Sequence, residues 1–132
     1  EFIFHIIPDI FLEAPLLARN IQLAVASNKY HQGTVELIRH YFGTDLFKVV
    51  LGQRGHIPAK PDPAIVYEIL HLTGITPADT LYIGDSGVDM QTARRSGITS
   101  IGVSWGFRPR QELTENGACH IVDRPEEIIR YL

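Results

Sequence analysis

The sequence is poor in the features that most quickly assign a chain to a functional class. Its 132 residues include a single cysteine, Cys119, so no internal disulfide can form and a reducing compartment, by default the cytoplasm, is expected. The 12 basic residues are scattered and the formal net charge is −3, so we expect neither a nucleic-acid partner nor a membrane partner. The apolar opening EFIFHIIPDIF lacks a basic leader and is interrupted by His5, Pro8 and Asp9, which argues against a signal peptide and a membrane span.

Several catalytic and ligand-binding signatures are also missing. The sequence has no P-loop, no glycine-rich dinucleotide fingerprint and no nucleophile elbow. Its six histidines lack the spacing of metal ligands, which favours solvated or core roles for them. The first residue is Glu1 rather than methionine, which leaves open that the chain is a processed or truncated piece of a longer protein.

What the sequence does contain is a regular alternation of two kinds of apolar segment. Short runs rich in β-branched residues alternate with longer segments whose apolar residues recur at helical spacing. This alternation indicates βαβ units, and therefore a mainly parallel sheet covered on both faces. We predict an α/β fold with a three-layer, Rossmann-like core, formed by a single domain over residues 1–132. The predicted strands are IQLAVA (21–26), FKVVL (47–51), TLYIG (80–84), ITSIGVS (98–104) and HIVD (120–123), and the predicted helices are TVELIRHYF (34–42), PDPAIVYEILHLTG (61–74), VDMQTARRSG (88–97) and EEIIRYL (126–132).

Polar side chains follow three of these strands. Ser27 and Asn28 come directly after IQLAVA, Lys60 lies in the connection after FKVVL, and Asp85 and Asp89 follow TLYIG. In a parallel sheet the carboxyl ends of the strands meet at one edge, and ligands bind beyond that edge. The sequence therefore predicts that these side chains converge.

The residue types at this edge suit a phosphate and a divalent cation. Mg²⁺ keeps several waters and takes one or two carboxylates plus a substrate phosphate. The Ser27 hydroxyl and the backbone amides of Ser27 and Asn28 can bind phosphate oxygens, while Lys60 supplies positive charge. Structural explanations exist for each residue, since Asp85 or Ser86 can cap a helix and a lysine before a proline is by default on the surface. Their joint placement after successive strands is what indicates a site.

Four blocks of the sequence, LAVASNK, KPDPAIVYEIL, YIGDSGVDMQTARRSG and SIGVSWG, resemble the haloacid dehalogenase-like superfamily. Within it they resemble the branch that includes phosphoglycolate phosphatases. The resemblance implies that Ser27 is the phosphate-binding hydroxyl with Asn28 beside it, that Lys60 neutralises the phosphate, and that Asp85 and Asp89 bind Mg²⁺. It also implies a reaction: phosphoryl transfer from a small phosphorylated metabolite to an enzyme aspartate, followed by hydrolysis.

One expected motif of that family is missing. The family's nucleophile lies in an Asp-x-Asp-Gly-Thr block, and no two of the aspartates in this sequence are separated by one residue. The inserted cap domain that follows this block in the branch is missing too. We therefore expect the chain by itself to be inactive or nearly so. A non-catalytic phosphometabolite-binding or interaction module is an alternative, as is a phosphomutase, nucleotidase or pyrophosphatase on the same core.

Two accounts explain the missing motif. In the favoured account, the chain is the C-terminal portion of a longer phosphatase and EFIFHIIPDI is the end of its cap. In the other, residues 2–7 form a strand, a helix follows from about residue 10 to 18, and Asp9 is the one carboxylate near the nucleophile's place. Without a central strand, IQLAVA and TLYIG would lie about 10 Å apart with unpaired backbone groups. We expect residues 2–7, a missing segment, or a partner chain in a homodimer to supply that strand.

Overall fold

The computed structural model describes residues 2–4 and 20–132, and within them it contains one six-stranded sheet. Every pair of neighbouring strands is parallel, and the spatial order is β3-β2-β1-β4-β5-β6. The α/β architecture predicted from the alternating pattern is confirmed. The strands are β1 (Phe2–Phe4), β2 (Gln22–Tyr30), β3 (Phe47–Gln53), β4 (Thr80–Gly84), β5 (Thr99–Val103) and β6 (His120–Val122).

The centre of the sheet is occupied by β1. Phe2–Phe4 pairs with Gln22–Ala24 of β2 on one side and with Thr80–Tyr82 of β4 on the other. The favoured account, in which this segment is the end of a cap, is therefore wrong for Phe2–Phe4. The strand fills the gap because its backbone satisfies hydrogen-bonding groups of two buried neighbours at once. The predicted helix over residues 10–18 and Asp9 lie outside the described residues.

In the described part of the chain, residues 2–4 and 20–132, four α-helices connect the strands, and the three longer ones were predicted. Glycines end these three, with Gly74 and Gly97 in the left-handed conformation that satisfies the last carbonyls of a helix. The short fourth helix was not predicted, and the predicted C-terminal helix is a 3₁₀ helix, Pro125–Tyr131. The α-helices are α1 (His31–Phe42), α2 (Ala64–Thr73), α3 (Gly87–Ser96) and α4 (Arg110–Glu115).

The sheet has an apolar cluster on each face. One cluster joins Ala24, Ala26 and Tyr82 to residues of α2 and α3, and the other joins Leu23, Ile83 and further strand residues to the C-terminal 3₁₀ helix. The alternation of neighbouring strand residues between the two clusters is the two-residue period of a strand whose faces are both covered. Among residues 2–4 and 20–132, no helix is long and apolar enough to cross a membrane.

The carboxyl ends of the strands carry the predicted site residues. The second strand is longer than IQLAVA, because β2 continues to Tyr30 and so includes Ser27 and Asn28. Its pairing with β3 is irregular between Ala26 and Tyr30, and its burial falls after Ala26. These residues therefore form the last, solvent-facing part of a strand rather than the start of a loop.

Candidate functional site

The side chain of Lys60 enters the molecule at the carboxyl edge of the sheet. Only 8% of the residue is exposed, although a lysine before a proline is expected at the surface. Its ammonium group donates hydrogen bonds to the carbonyl of Ala26 at 3.0 Å, to the hydroxyl of Tyr82 at 3.3 Å and to Oδ1 of Asp89 at 2.7 Å. Lys60 thus joins the connection between β3 and α2 to β2, β4 and α3 through a single atom.

The backbone of Lys60 is fixed by the side chain of Asn28. The amide nitrogen of Asn28 donates to the carbonyl of Lys60 at 3.1 Å, and its amide oxygen accepts from the N–H of Lys60 at 2.8 Å. The peptide bond that follows, Lys60–Pro61, is cis. The side chain of Asn28 is therefore directed to the protein backbone, which leaves only its backbone amide for the predicted contact with phosphate.

Asp89 is the buried anion of the site, with 2% of the residue exposed. It is the third residue of α3, and Ser86 is the N-cap that precedes this helix. The hydroxyl of Ser86 accepts from the N–H of Asp89 at 3.3 Å and donates to its Oδ2 at 2.9 Å. A side chain at Gly84 would collide with Asp89, so a residue without Cβ is needed there. The N-cap is therefore Ser86, not Asp85, and Asp89 has a structural role as well as its candidate metal role.

Tyr82 completes this cluster and was not singled out from the sequence. It is fully buried on β4, and its hydroxyl donates to Oδ1 of Asp89 at 3.0 Å while it accepts from Lys60. Burial, and next to it the charge of Asp89, raises the pKa of Tyr82 well above its usual range. The hydroxyl therefore stays protonated and remains a donor to Asp89. The alternation of β4 predicts the burial of Tyr82, but no short motif indicates where its hydroxyl points.

Asp85 lies in the turn between β4 and α3 and is partly exposed. The loop after β5 closes against it: a side chain at Gly106 would lie 2.5 Å from both Cβ and Oδ2 of Asp85. This close approach requires glycine at position 106. No motif in the sequence indicated the contact between Gly106 and Asp85.

Ser27 lies beside the cluster. Its hydroxyl accepts a hydrogen bond from the N–H of Lys29 at 3.0 Å, and it directly follows Ala26, whose carbonyl receives the Lys60 ammonium. The structure thus joins Asn28, Lys60 and Asp89 by hydrogen bonds. Ser27 directly follows Ala26, which accepts a hydrogen bond from Lys60, and Asp85 directly precedes Ser86, which donates one to Asp89. The roles assigned to these side chains stay predictions.

The donor set fits a magnesium ion only as part of a mixed shell. Within residues 2–4 and 20–132, no group of three or more His, Cys, Asp or Glu side chains could hold a metal. Asp85 and Asp89 are hard oxygen donors, and both oxygens of Asp89 already accept hydrogen bonds from Lys60, Tyr82 and Ser86. Waters and a substrate phosphate would supply the remaining ligands, as is usual for Mg²⁺.

The fold and the site together indicate the class of protein. It is an α/β protein with a parallel sheet whose carboxyl edge has a lysine and acidic groups, and such an edge suits an anionic ligand. The family model for haloacid dehalogenase-like hydrolases matches residues 11–103, and the chain belongs to that family. The predicted resemblance is therefore confirmed.

Similar proteins are phosphoglycolate phosphatases and related hydrolases. The phosphoglycolate phosphatase of Pectobacterium atrosepticum is 28% identical over 116 residues, which cover 88% of this chain and 50% of that protein. A solved structure from Lactobacillus delbrueckii subsp. bulgaricus, assigned as a phosphoglycolate phosphatase, has 35% identity and a TM-score of 0.87 over 94% of this chain and 52% of that chain. A structure from Thermotoga maritima, assigned as a β-phosphoglucomutase, has 26% identity and a TM-score of 0.79, and the match covers 95% of this chain and 58% of that chain. The chain thus spans about half the length of these proteins.

Proposed function

We propose that this chain supplies the phosphate- and metal-binding part of a phosphomonoester hydrolase similar to phosphoglycolate phosphatase. Its substrate would be a small phosphorylated metabolite and its cofactor Mg²⁺. The supporting observation is the buried Lys60 ammonium at the carboxyl edge of the sheet, paired with Asp89 at 2.7 Å. A buried ion pair adds little net stability to a protein, because the cost of removing both charges from water offsets their attraction. A functional reason for this pair is therefore favoured.

Each residue of the site has a part in this proposal. Lys60 would bind an oxygen of the transferring phosphoryl group, and Ser27 would bind another through its hydroxyl, with the Asn28 backbone amide beside it. Asp85 and Asp89 would hold the magnesium ion, which when bound supplies charge neutralisation to the phosphoryl oxygens. The side chain of Asn28 keeps Lys60 in place by its two hydrogen bonds to the Lys60 backbone.

The proposed reaction needs a nucleophile that this sequence does not offer in the family's motif. In the full-length protein, a carboxylate oxygen of an enzyme aspartate would form a bond to phosphorus as the bond from phosphorus to the leaving alkoxide breaks, and the alkoxide would take up a proton. Water would then attack phosphorus and release inorganic phosphate and the free carboxylate. On this proposal, the chain alone has little or no turnover.

A non-catalytic binding module is the second candidate. The observation that favours it is the absence of any Asp-x-Asp pair from the sequence, because the anion-binding groups remain without the nucleophile motif. A phosphomutase on the same core is a third candidate, supported by the similarity to the protein assigned as a β-phosphoglucomutase. The hydrolase and the binding module differ in turnover. The phosphomutase differs from the hydrolase in its product, because it yields a rearranged phosphate ester instead of inorganic phosphate.

Assays of the full-length gene product with an aryl phosphate, with and without Mg²⁺, test the proposal. We expect turnover that needs Mg²⁺, is abolished by Asp85→Asn and falls about 100-fold or more in Lys60→Ala, since a charge aimed at the transition state contributes on that scale. Lys48→Ala and Asp79→Asn change exposed residues away from the cluster and should leave turnover unchanged. Binding of phosphate and Mg²⁺ without turnover would instead support the binding module.

A further inference from the structure

The packing of Tyr82 in the apolar core does not require its hydroxyl group. Tyr82 packs within the cluster that contains Ala24, Ala26 and Ile69, where a phenylalanine would bury the same ring. A buried hydroxyl lowers stability unless it finds hydrogen-bond partners. Two of its partners are charged groups of the candidate site, Lys60 and Asp89, and the side chain of Thr92 is a further hydrogen-bond partner.

We propose that Tyr82 is a positioning residue whose hydroxyl fixes the ammonium of Lys60 in the direction required to bind a phosphoryl oxygen. This inference rests on the proposed function for the identity of the ligand. The position of the ammonium itself can be tested without any ligand.

The number of donors on Lys60 supports this role. An ammonium group has three N–H donors, and the structure gives it three acceptors: the carbonyl of Ala26, the hydroxyl of Tyr82 and Oδ1 of Asp89. The three acceptors come from β2, β4 and α3, so together they hold the nitrogen from three directions. Loss of one acceptor would leave the group free to rotate and to shift toward Asp89.

The contact with Tyr82 is the longest of the three, at 3.3 Å, and its acceptor is neutral. Because this contact is the longest, its proton is the one that an arriving phosphate oxygen can share with the Tyr82 hydroxyl in a bifurcated hydrogen bond, while Ala26 and Asp89 keep their hold on the nitrogen. Because the same hydroxyl donates to Oδ1 of Asp89 at 3.0 Å, it also fixes the carboxylate that pairs with Lys60. Tyr82 thus links the phosphate-binding cation to the candidate metal ligand.

The variant Tyr82→Phe isolates the hydroxyl, since the ring remains. The Lys60 nitrogen lies 5.9 Å from the centre of the Tyr82 ring, and a phenylalanine ring preserves that contact. Tyr67→Phe is the matched control, because the Tyr67 hydroxyl also donates one hydrogen bond, to the carbonyl of Arg95 at 3.2 Å, away from the cluster.

The first measurement is the hydrogen-exchange rate of the Lys60 ammonium protons by nuclear magnetic resonance in the full chain. The sequence contains only three lysines, Lys29, Lys48 and Lys60, so the signal can be assigned with a Lys60→Met variant. We expect exchange in the parent to be slower at Lys60 than at Lys29 or Lys48, and to become about fivefold faster in Tyr82→Phe but not in Tyr67→Phe. Equal exchange in the parent and Tyr82→Phe would overturn the proposal.

The second measurement is titration with inorganic phosphate in the presence of Mg²⁺. Tyr82→Phe should weaken phosphate binding by about tenfold and Tyr67→Phe should not weaken it. If the parent binds no phosphate while Lys60 exchange still depends on Tyr82, the proposed function fails and the positioning role stands. Should Tyr82→Phe not fold, the parent decides: a slowly exchanging Tyr82 hydroxyl proton with a nuclear Overhauser effect to the Lys60 side chain supports the role, and its absence contradicts it.

Discussion

At the scale of single residues, Asn28 and Lys60 show how a short motif can contain two kinds of function. The pair Ser27-Asn28 was predicted to bind phosphate, yet both polar atoms of the Asn28 side chain contact the backbone of Lys60. A residue that holds the lysine in place affects anion binding without touching the anion with its side chain. The distinction is visible only when the partners are known, because an amide side chain suits either role.

Two different replacements of Asn28 should destabilise the fold to different degrees. Asn28→Ala removes both hydrogen bonds and should lower the free energy of unfolding by about 1–3 kcal/mol, whereas Asn28→Asp keeps the acceptor for the Lys60 N–H and should cost about half as much. Urea unfolding measures both. Gln32→Ala is the control, since exposed Gln32 makes only a 3.4 Å side-chain contact with Glu36. Equal stability of Asn28→Ala and the parent would contradict the role assigned to this amide.

Burial of Lys60 is the residue-scale feature that the sequence did not predict. The default for a lysine before a proline is the surface, and no local pattern distinguishes this lysine from Lys48, which is exposed. Its burial depends on Ala26, Tyr82 and Asp89, which are distant along the chain and come together only in the folded sheet. Convergence on one edge was predictable from parallel topology, but the hydrogen-bond partners were not.

At the scale of elements, the connection between β3 and α2 determines where Lys60 lies. Arg54 at its start pairs with Glu68 of α2, with a 2.9 Å contact between Nη1 and Oε1. Gln53 adds a hydrogen bond to the carbonyl of Ile57 at 2.7 Å. These contacts fix a segment that has no helix or strand of its own, so the lysine is presented from an ordered connection.

The pair Arg54–Glu68 should make stability depend on pH. The hydrogen bond from Arg54 lowers the pKa of Glu68 below its usual value of 4.5. A lowered folded-state pKa means that the stabilisation is present above pH 4.5 and is lost as pH falls through the folded-state pKa. Because both side chains are partly exposed, Glu68→Gln should cost only about 0.5–1 kcal/mol at pH 7.

Thermal unfolding of Glu68→Gln and the parent over pH 2 to 8 measures this dependence. The difference in stability should shrink as pH decreases below about 4.5 and vanish when Glu68 is protonated in the parent. Glu36→Gln, which changes an exposed carboxylate on α1, is the control and should show a smaller effect. A difference for Glu68→Gln that stays constant down to the lowest pH would show that the charge pair is not its cause.

Prediction of the elements succeeded where the apolar pattern was clear and a glycine marked its end. The strand TLYIG and β4 have the same bounds, residues 80–84, and helices α2 and α3 end at the predicted glycines. The helix α4 was missed because it has six residues and one buried side chain, Leu113, too few for a periodic pattern. The C-terminal segment was predicted as an α-helix, but a 3₁₀ helix follows Arg124 and has Ile128 as its one buried residue.

At the scale of the whole molecule, the sheet depends on its central strand. The described residues of β1, Phe2–Phe4, lie between β2 and β4. The backbone groups of β1 bridge the two halves of the sheet, so β2 with β3 and β4 with β5 and β6 become one structure. The sequence predicted that this position must be filled, but the favoured account assigned residues 2–4 to another part of the fold.

Disruption of β1 should therefore affect the entire fold. Ile3→Pro removes a backbone donor from a central strand and should lower the free energy of unfolding by about 3 kcal/mol or more. We expect loss of cooperative unfolding or self-association, because exposed strand edges recruit other chains. Calorimetry and sedimentation velocity measure the two results.

Ile3→Val serves as the control because it keeps the backbone N–H and the preference for strand. A monomeric Ile3→Pro variant with the stability of the parent would show that the sheet does not need Phe2–Phe4. Such a result would favour the account in which another segment or a second copy supplies the central strand.

The contacts of the Lys60 ammonium also have a practical consequence for finding a ligand. Since Ala26, Tyr82 and Asp89 belong to three different elements, this part of the surface exists only in the native state. A compound that binds there has no equivalent site on the denatured chain. Its binding free energy therefore stabilises only the native state and raises the melting temperature of the protein. Melting curves recorded with a collection of phosphate esters could therefore rank candidate ligands by affinity even if the chain never converts any of them.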